Sequence, residues 1–246
     1  MRRMWSVAPV NRYLKPRKTI TMCGRYSIVI DEAKLREQFG RQLQLPVAGL
    51  SKNYNVAPTQ QGAVITDRHP DRVEAFRWGL VPFWAKDLKI GARMINARSE
   101  GIEEKPSFRK PIRSRRCLVL GDSFYEWKKT PEGKVPHRIL PADGRLLVMA
   151  GIWEQWTPKS EPDAAPVFTY SIITGAPNRE MAPIHDRMPM LLLDEAAQSQ
   201  WLDTQAPLDD ILGLLTTPPD GTLEAYPVSS RVGNVRNNGP ELHQPL

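Results

Sequence analysis

Four short stretches of the chain hold side chains that could do chemistry. The first is Met22-Cys23, at the head of MCGRYSI. Most free cysteines are small buried hydrophobes, and Cys23 has that reading open to it. The methionine before it opens another. If translation starts at Met22, removal of that methionine leaves Cys23 as the first residue, because cysteine is small. An N-terminal cysteine carries an amine and a thiol on adjacent carbons. The amine can condense with an aldehyde to a Schiff base, and the thiol can then close a five-membered thiazolidine ring. An α-amine titrates near about 7.7–8.0, so roughly a tenth or more is neutral and nucleophilic at pH 7. An interior cysteine has an amide nitrogen instead, so in the chain beginning at Met1 this reaction is blocked.

The second stretch is FYEWKK, where Glu126 follows an expected strand and sits among Phe124, Tyr125 and Trp127. A strand-end glutamate paired with Lys128 or Lys129 is the ordinary reading. A carboxylate among aromatics instead has its pKa raised, which suits proton transfer. The third, APIHDRMP, holds His185, Asp186 and Arg187 between two prolines that keep the segment out of regular structure. A histidine on such a loop is a better catalytic candidate than one in a core. The fourth, MINARSE, offers Asn96 and Arg98 for carbonyl and phosphate contacts. Beside these, WGLVPFW places Trp78 as an expected core residue and Trp84 as an expected exposed stacking or wedge residue.

Composition narrows the classes. The 246 residues fit one large domain or two small ones, and an apolar fraction of 41% is enough for a core. The two cysteines and four scattered histidines show no metal-ligand spacing, so no metal is expected and no disulfide framework. No apolar run approaches a membrane span. The net charge of +7 is uneven. Residues 1–21 hold Arg2, Arg3, Arg12, Lys15, Arg17 and Lys18 and no acid, which leaves only +1 for residues 22–246. Bulk charge therefore does not announce a nucleic-acid binder, and any basic footprint must be local. The leader lacks the apolar core of a secretory signal. It reads as a misplaced gene start, a basic tail that is later removed, or a retained extension or organelle-targeting segment.

The elements that must position these residues are mostly short strands. Residues 24–30 read as a strand, and Asp31 caps a helix expected over 32–43. Further strands are expected over 62–66, 73–78, 116–120, 137–140, 146–152 and 169–174, with helices over 195–202 and 208–215. Residues 157–166 read as an exposed loop. Many short strands, 23 prolines and few helices indicate an α+β fold: one compact domain around an open, barrel-like, mostly antiparallel sheet with peripheral helices. No glycine-rich phosphate loop or βαβ rhythm is present.

Taken in order, MCGRY, NVAP, WGLVPFW, INAR, FYEW, IHDRMP and VGNVRNNGPELHQP resemble the SOS response-associated peptidase (SRAP) family, the abasic-site processing proteins. The resemblance runs from Met22 to the C-terminus. It implies recognition of abasic sites in single-stranded DNA and a covalent thiazolidine crosslink, with associated AP-lyase and autoproteolytic activity. Cys23 matches the family's N-terminal nucleophile. Asn96 matches the asparagine that positions the amine. Glu126 matches the glutamate of sugar-ring opening and crosslink reversal, and His185 the proton-shuttling histidine. Arg25, Asn55, Pro58, Trp84, Arg98, Thr174 and Arg187 match DNA-groove positions. The matching partner is single-stranded DNA containing abasic sites, with no cofactor, no membrane and a monomeric protein. A cytoplasmic, nucleoid-associated location in a bacterial cell goes with it. The chain departs from the pattern in the 21 residues before Met22, and in Ser123, where glycine is usual and little effect is expected. Two other readings stay open: a thiol peptidase with Cys23 as nucleophile and His185 as base, and a non-catalytic binder of single-stranded DNA.

Overall fold

A computed structural model describes residues 24–40, 42–46 and 51–246. The leader, Met22 and Cys23 lie outside the described residues. The strands are β1 (Tyr26–Ile28), β2 (Asn53–Val56), β3 (Gln61–Thr66), β4 (His69–Trp78), β5 (Asn96–Arg98), β6 (Arg116–Gly121), β7 (Ser123–Thr130), β8 (Gly133–Pro141), β9 (Leu147–Trp156), β10 (Val167–Gly175), β11 (Met188–Pro189) and β12 (Leu223–Pro227). The helices are α1 (Glu32–Phe39), α2 (Pro111–Ser114), α3 (Glu195–Leu202) and α4 (Leu208–Gly213).

The barrel-like expectation holds, and the ring closes. Strands pair in the order β10–β4–β3–β6–β9, and β9 returns to β10. The β4–β10 contact is parallel and the other four are antiparallel. Closure leaves this ring no free edge. A second, antiparallel sheet runs β12–β8–β7–β1–β2. Val64, Ile65, Leu118, Val119, Leu120, Met149, Ile172 and Trp78 on these strands are all but closed to solvent, so the ring is buried on both of its faces. Gly62 lies directly beneath the paired hydroxyls of Tyr26 and Tyr170, 2.5 Å apart, where a Cβ would overlap both oxygens.

Asp122 sits where the chain passes from β6 in the barrel to β7 in the second sheet. Its carboxylate accepts from Val29 N (2.6 Å), Ser27 Oγ (3.0 Å) and Arg138 Nη2 (3.0 Å). Ser123 belongs to this knot: its Oγ accepts from Arg138 Nε (2.8 Å) and lies 2.6 Å from Ser27 Oγ. The knot fixes β1 onto β7, and so fixes the path of the chain leading out of residue 23. Buried Arg116 satisfies the carbonyls of Ile112, Arg113, Trp201 and Asp203, pinning the ends of α2 and α3 to the barrel.

Most elements lie where the sequence places them with ends shifted by a few residues, and two of the differences matter for the site. Helix α1 ends at Phe39 rather than 43, because Gly40 takes a φ of +88° that stops the helical path. Strand β7 covers Ser123–Thr130, so Glu126 lies mid-strand rather than beyond a strand end. Its first four residues are buried on both faces, which erases the alternation that would mark the strand.

Candidate functional site

The register of β1 against β7 places the first candidate. Tyr26 pairs with Phe124 and Ser27 with Ser123, and Tyr125 N donates to Arg25 O (2.9 Å). One further step of the same antiparallel register sets Glu126 across from Gly24, next in the chain to Cys23. Glu126 is only 3% exposed. Its Oε1 accepts the amide of Trp127 (3.2 Å). The next residues of β7, Trp127 and Lys129, line a cleft of about 400 Å³ with Arg98, His185 and Asp186.

Strand β10 assembles the other side. β5 runs parallel to it, with Asn96 beside Ile172 and Arg98 beside Thr174. β11 runs antiparallel to it, with Thr174 opposite Pro189. The end of β10 is therefore flanked by the strand that carries Asn96 and Arg98 and by the strand that follows His185 and Arg187. The segment 176–187 is irregular, as the prolines predict, and His185 N–H donates to Met181 O (2.9 Å). The His185 side chain is largely buried and has two alternative partners on one nitrogen. Arg187 N lies 3.2 Å from Nδ1 and donates to it, which requires a lone pair. Asp186 Oδ1 lies 2.9 Å from the same Nδ1 and accepts from it, which requires a proton. The contacts are exclusive. A ring protonated on Nε2 alone takes the first, and a ring with a proton on Nδ1 takes the second. Nδ1 therefore has a partner in either protonation state, the arrangement a proton shuttle needs.

Arg187 is held tightly. Nη1 and Nη2 meet the two oxygens of Glu100 at 2.8 Å each. Nη2 also donates to Thr174 O, and Nε to Thr174 Oγ1 (3.4 Å). Its side chain is 12% exposed. The Arg187 guanidinium holds the Glu100 carboxyl down at about 2. Thr174 O accepts Ser99 N as well (2.9 Å), so Arg187 staples β5, β10 and the His185 segment together. Glu100 carries no signal in the sequence reading, since its partner is 87 residues away.

Arg25 and Asn55 form a second group, on the inner side of the chain's path toward residue 23. Arg25 Nη1 donates to Asn55 Oδ1 and to Val232 O, both at 2.8 Å. Asn55 Nδ2 donates to Val232 O (3.3 Å), Asn234 O (3.1 Å) and Asn237 O (2.8 Å). The VGNVRNN segment is thus bound from beneath by two side chains read from the sequence as groove residues. Pro58 starts a turn in which Thr59 N donates to Trp78 O (2.8 Å). Trp78 itself is buried, its Nε1 donating to Ile95 O (2.9 Å), whereas Trp84 is 42% exposed.

The SRAP family model, described as SOS response associated peptidase, matches residues 22–235. The chain belongs to the SRAP family. It is 45% identical over 224 residues to the abasic site processing protein YoqW of Bacillus subtilis, covering 90% of this chain and 98% of that one. It is 32% identical over 266 residues to the abasic site processing protein HMCES of Gallus gallus, covering 92% and 78%. A crystal structure of a protein from Bacteroides thetaiotaomicron superposes with a TM-score of 0.81 at 28% identity, over 91% of this chain and all of that one. The strands that line the cleft, β5 and β7, and the His185 segment all lie within the matched SRAP span.

Proposed function

We propose that this protein processes abasic sites in single-stranded DNA by forming a thiazolidine crosslink through Cys23 as an N-terminal residue. The observation that carries the reading is the cleft of Arg98, Trp127, Lys129, His185 and Asp186, joined through the β1–β7 register to Gly24. Arg98 and Lys129 offer an anionic strand two cations at this cleft beside His185, and Glu126 lies on the strand that supplies Trp127 and Lys129. The SRAP membership and the names of the similar proteins support the same substrate.

The ring-opened abasic sugar presents an aldehyde at C1′. The neutral Cys23 amine adds to that carbon, and the carbinolamine oxygen leaves as water to give the Schiff base. The Cys23 thiolate then adds to the imine carbon, and the nitrogen takes a proton as the ring closes. His185 moves protons in these steps. Glu126, held in a nearly dry position, transfers the proton that opens the sugar ring. Asn96, two residues before Arg98 on β5, orients the amine. Selection needs no base readout, because a pocket that excludes bases admits only the site without one. Arg98 and Lys129 grip phosphates whatever the sequence, so binding weakens with salt.

The test uses protein that begins at Cys23, with single-stranded DNA that either carries one abasic site or does not. Denaturing gels should show a shifted, heat-stable band with the damaged strand alone, lost in Cys23→Ala. Acetylating the α-amine separates this chemistry from a thiol peptidase. Crosslinking should disappear while the thiol remains titratable. A band that survives acetylation would overturn the mechanism.

A further inference from the structure

The segment that carries His185 is closed on itself. Asn178 N donates to Met188 Sδ (3.3 Å), so the two ends of residues 178–188 meet. Inside this ring the chain makes two linked turns. Asn178 O accepts Ala182 N (2.9 Å), and Asn178 Oδ1 accepts Met181 N (3.2 Å). Met181 O then accepts both Ile184 N (2.8 Å) and His185 N (2.9 Å). The backbone of His185 thus hangs from Met181, and Met181 hangs from Asn178. Met181 and Met188 are closed to solvent, so packing fixes both anchors.

Asn178 is only 4% exposed, and its side chain is spent entirely within the protein. While Oδ1 faces the Met181 amide, Nδ2 donates to Glu180 Oε2 (2.6 Å) and to Pro219 O (3.4 Å). That leaves the amide no group for a ligand. Glu180 Oε1 accepts Gly221 N (2.9 Å), and Arg179 N donates to Asp220 Oδ1 (3.0 Å). The stretch between α4 and β12 therefore grips the start of the ring from outside. Residues 182–186 of the ring line the cleft, and Asn178 and Glu180 do not.

The two sides of His185 are held independently. Arg187 is fixed to Glu100 and Thr174, outside the ring. His185 is fixed through Met181 to Asn178. Loosening Asn178 moves the imidazole against Arg187 N, a donor that stays in place. The contact between that donor and Nδ1 is already 3.2 Å, so it has little length to spare.

We propose that Asn178 is a positioning residue for His185: it sets where the imidazole stands in the cleft, and so whether Nδ1 keeps its bond from Arg187 N. The inference rests on the reading of His185 as the proton shuttle, and adds the residue that aims it.

The test reverses donor and acceptor within the Asn178–Glu180 pair. Asn178→Asp keeps the oxygen that faces Met181 N, but sets a carboxylate oxygen against Glu180 Oε2. Glu180→Gln sets two amide nitrogens against each other. The double variant restores one donor and one acceptor in the opposite order. All are made as protein that begins at Cys23. Crosslinking is timed at saturating single-stranded DNA carrying one abasic site, and affinity is measured for the same strand undamaged. Asn178→Asp should crosslink about tenfold more slowly at unchanged affinity, a part of the roughly 100-fold that a well-placed proton carrier supplies. The double variant should recover most of that rate. The four histidines make imidazole nitrogen signals assignable by NMR. The His185 Nδ1 signal should shift in Asn178→Asp and return in the double variant, a response that a general loss of stability does not give. Should Asn178→Asp fail to fold, Glu180→Gln, at a half-buried position, carries the same expectation. Variants that crosslink at the wild-type rate with the His185 signals unmoved would overturn the positioning role alone, as would a slowed rate that the double variant does not recover. Wild type that forms no adduct would overturn the functional reading instead, and the imidazole signals, which need no DNA, then decide the positioning by themselves.

Discussion

Glu126 and Arg187 show how differently two charged residues at one site are used. Glu126 is buried on a rigid strand, with one oxygen already accepting the Trp127 amide, so Glu126→Gln keeps the shape and that hydrogen bond while removing the titrating group. Crosslink formation should slow by about 100-fold, the scale of a lost general acid or base, while the urea midpoint stays near wild type. A variant that unfolds readily and crosslinks at the wild-type rate would assign Glu126 to structure instead. Arg187 is a staple with most of its donors on protein acceptors. Lysine keeps the charge but cannot reproduce a bidentate fork and two further bonds. Arg187→Lys should cost about 2 kcal/mol of stability by chemical denaturation, the range for hydrogen bonds to charged partners. Because the Glu100 carboxyl is depressed to about 2, its share of that stability is present above its ordinary value and fades only as pH falls toward 2. Stability curves of wild type and Glu100→Gln should therefore approach each other in strong acid and separate at neutral pH.

At the scale of elements, the site depends on pairings that bring distant segments to one rim. The tightest packing constraint is at Gly62 in β3, beneath the Tyr26–Tyr170 hydroxyl pair. Gly62→Ala must displace the buried Tyr26 and Tyr170 hydroxyls and break their pairing, on the strands that position residues 24–25 and Thr174. A loss of about 3 kcal/mol is expected, the upper part of the overpacking range, measurable as a lower denaturant midpoint. An unchanged midpoint would show that the barrel is looser than this geometry. The same pairings explain what the sequence could tell. Strands β3, β6, β9 and β10 were legible because β-branched runs such as AVIT and SIIT declare themselves locally. β2 (NYNV), β5 (NAR) and β11 (MP) are too short or too polar to do so, and exist only because a partner strand is present. The loop character of His185 followed from its prolines. The Glu100–Arg187 staple could not be read, since neither residue is unusual in its own neighbourhood. Ser123, a departure from the family pattern, proved to be part of the Asp122 knot, which only the fold reveals.

Over the whole molecule, the C-terminal tail closes against the second sheet. His243 packs against the Tyr54 ring (4.8 Å) and lies beside Asp122 (3.8 Å), with Arg138 and Tyr125 also facing it. Burial, followed by the positive charge of Arg138, lowers its pKa from 6.5 to about 4, against the opposing pull of Asp122. The unfolded chain then binds a proton that the folded one refuses. Stability should fall as pH drops from about 6.5 to about 4 and level off below. His243→Gln should flatten that part of the curve, and an equal slope in both proteins would remove His243 as its cause. The tail so held presents Val232, Asn234 and Asn237 to Arg25 and Asn55, beneath the chain that leads to residue 23. The central claim of the proposed function is that residue 23 must be a free N-terminus. The most direct measurement mixes Met1-start and Met22-start protein with single-stranded DNA carrying one abasic site, and weighs the products intact. The Met22-start protein, its methionine removed, should give a heat-stable adduct equal to the sum of the two masses less one water. The Met1-start protein, its leader verified as intact, should give none. Equal yields from both would contradict the account, because an amide nitrogen at Cys23 cannot close the ring.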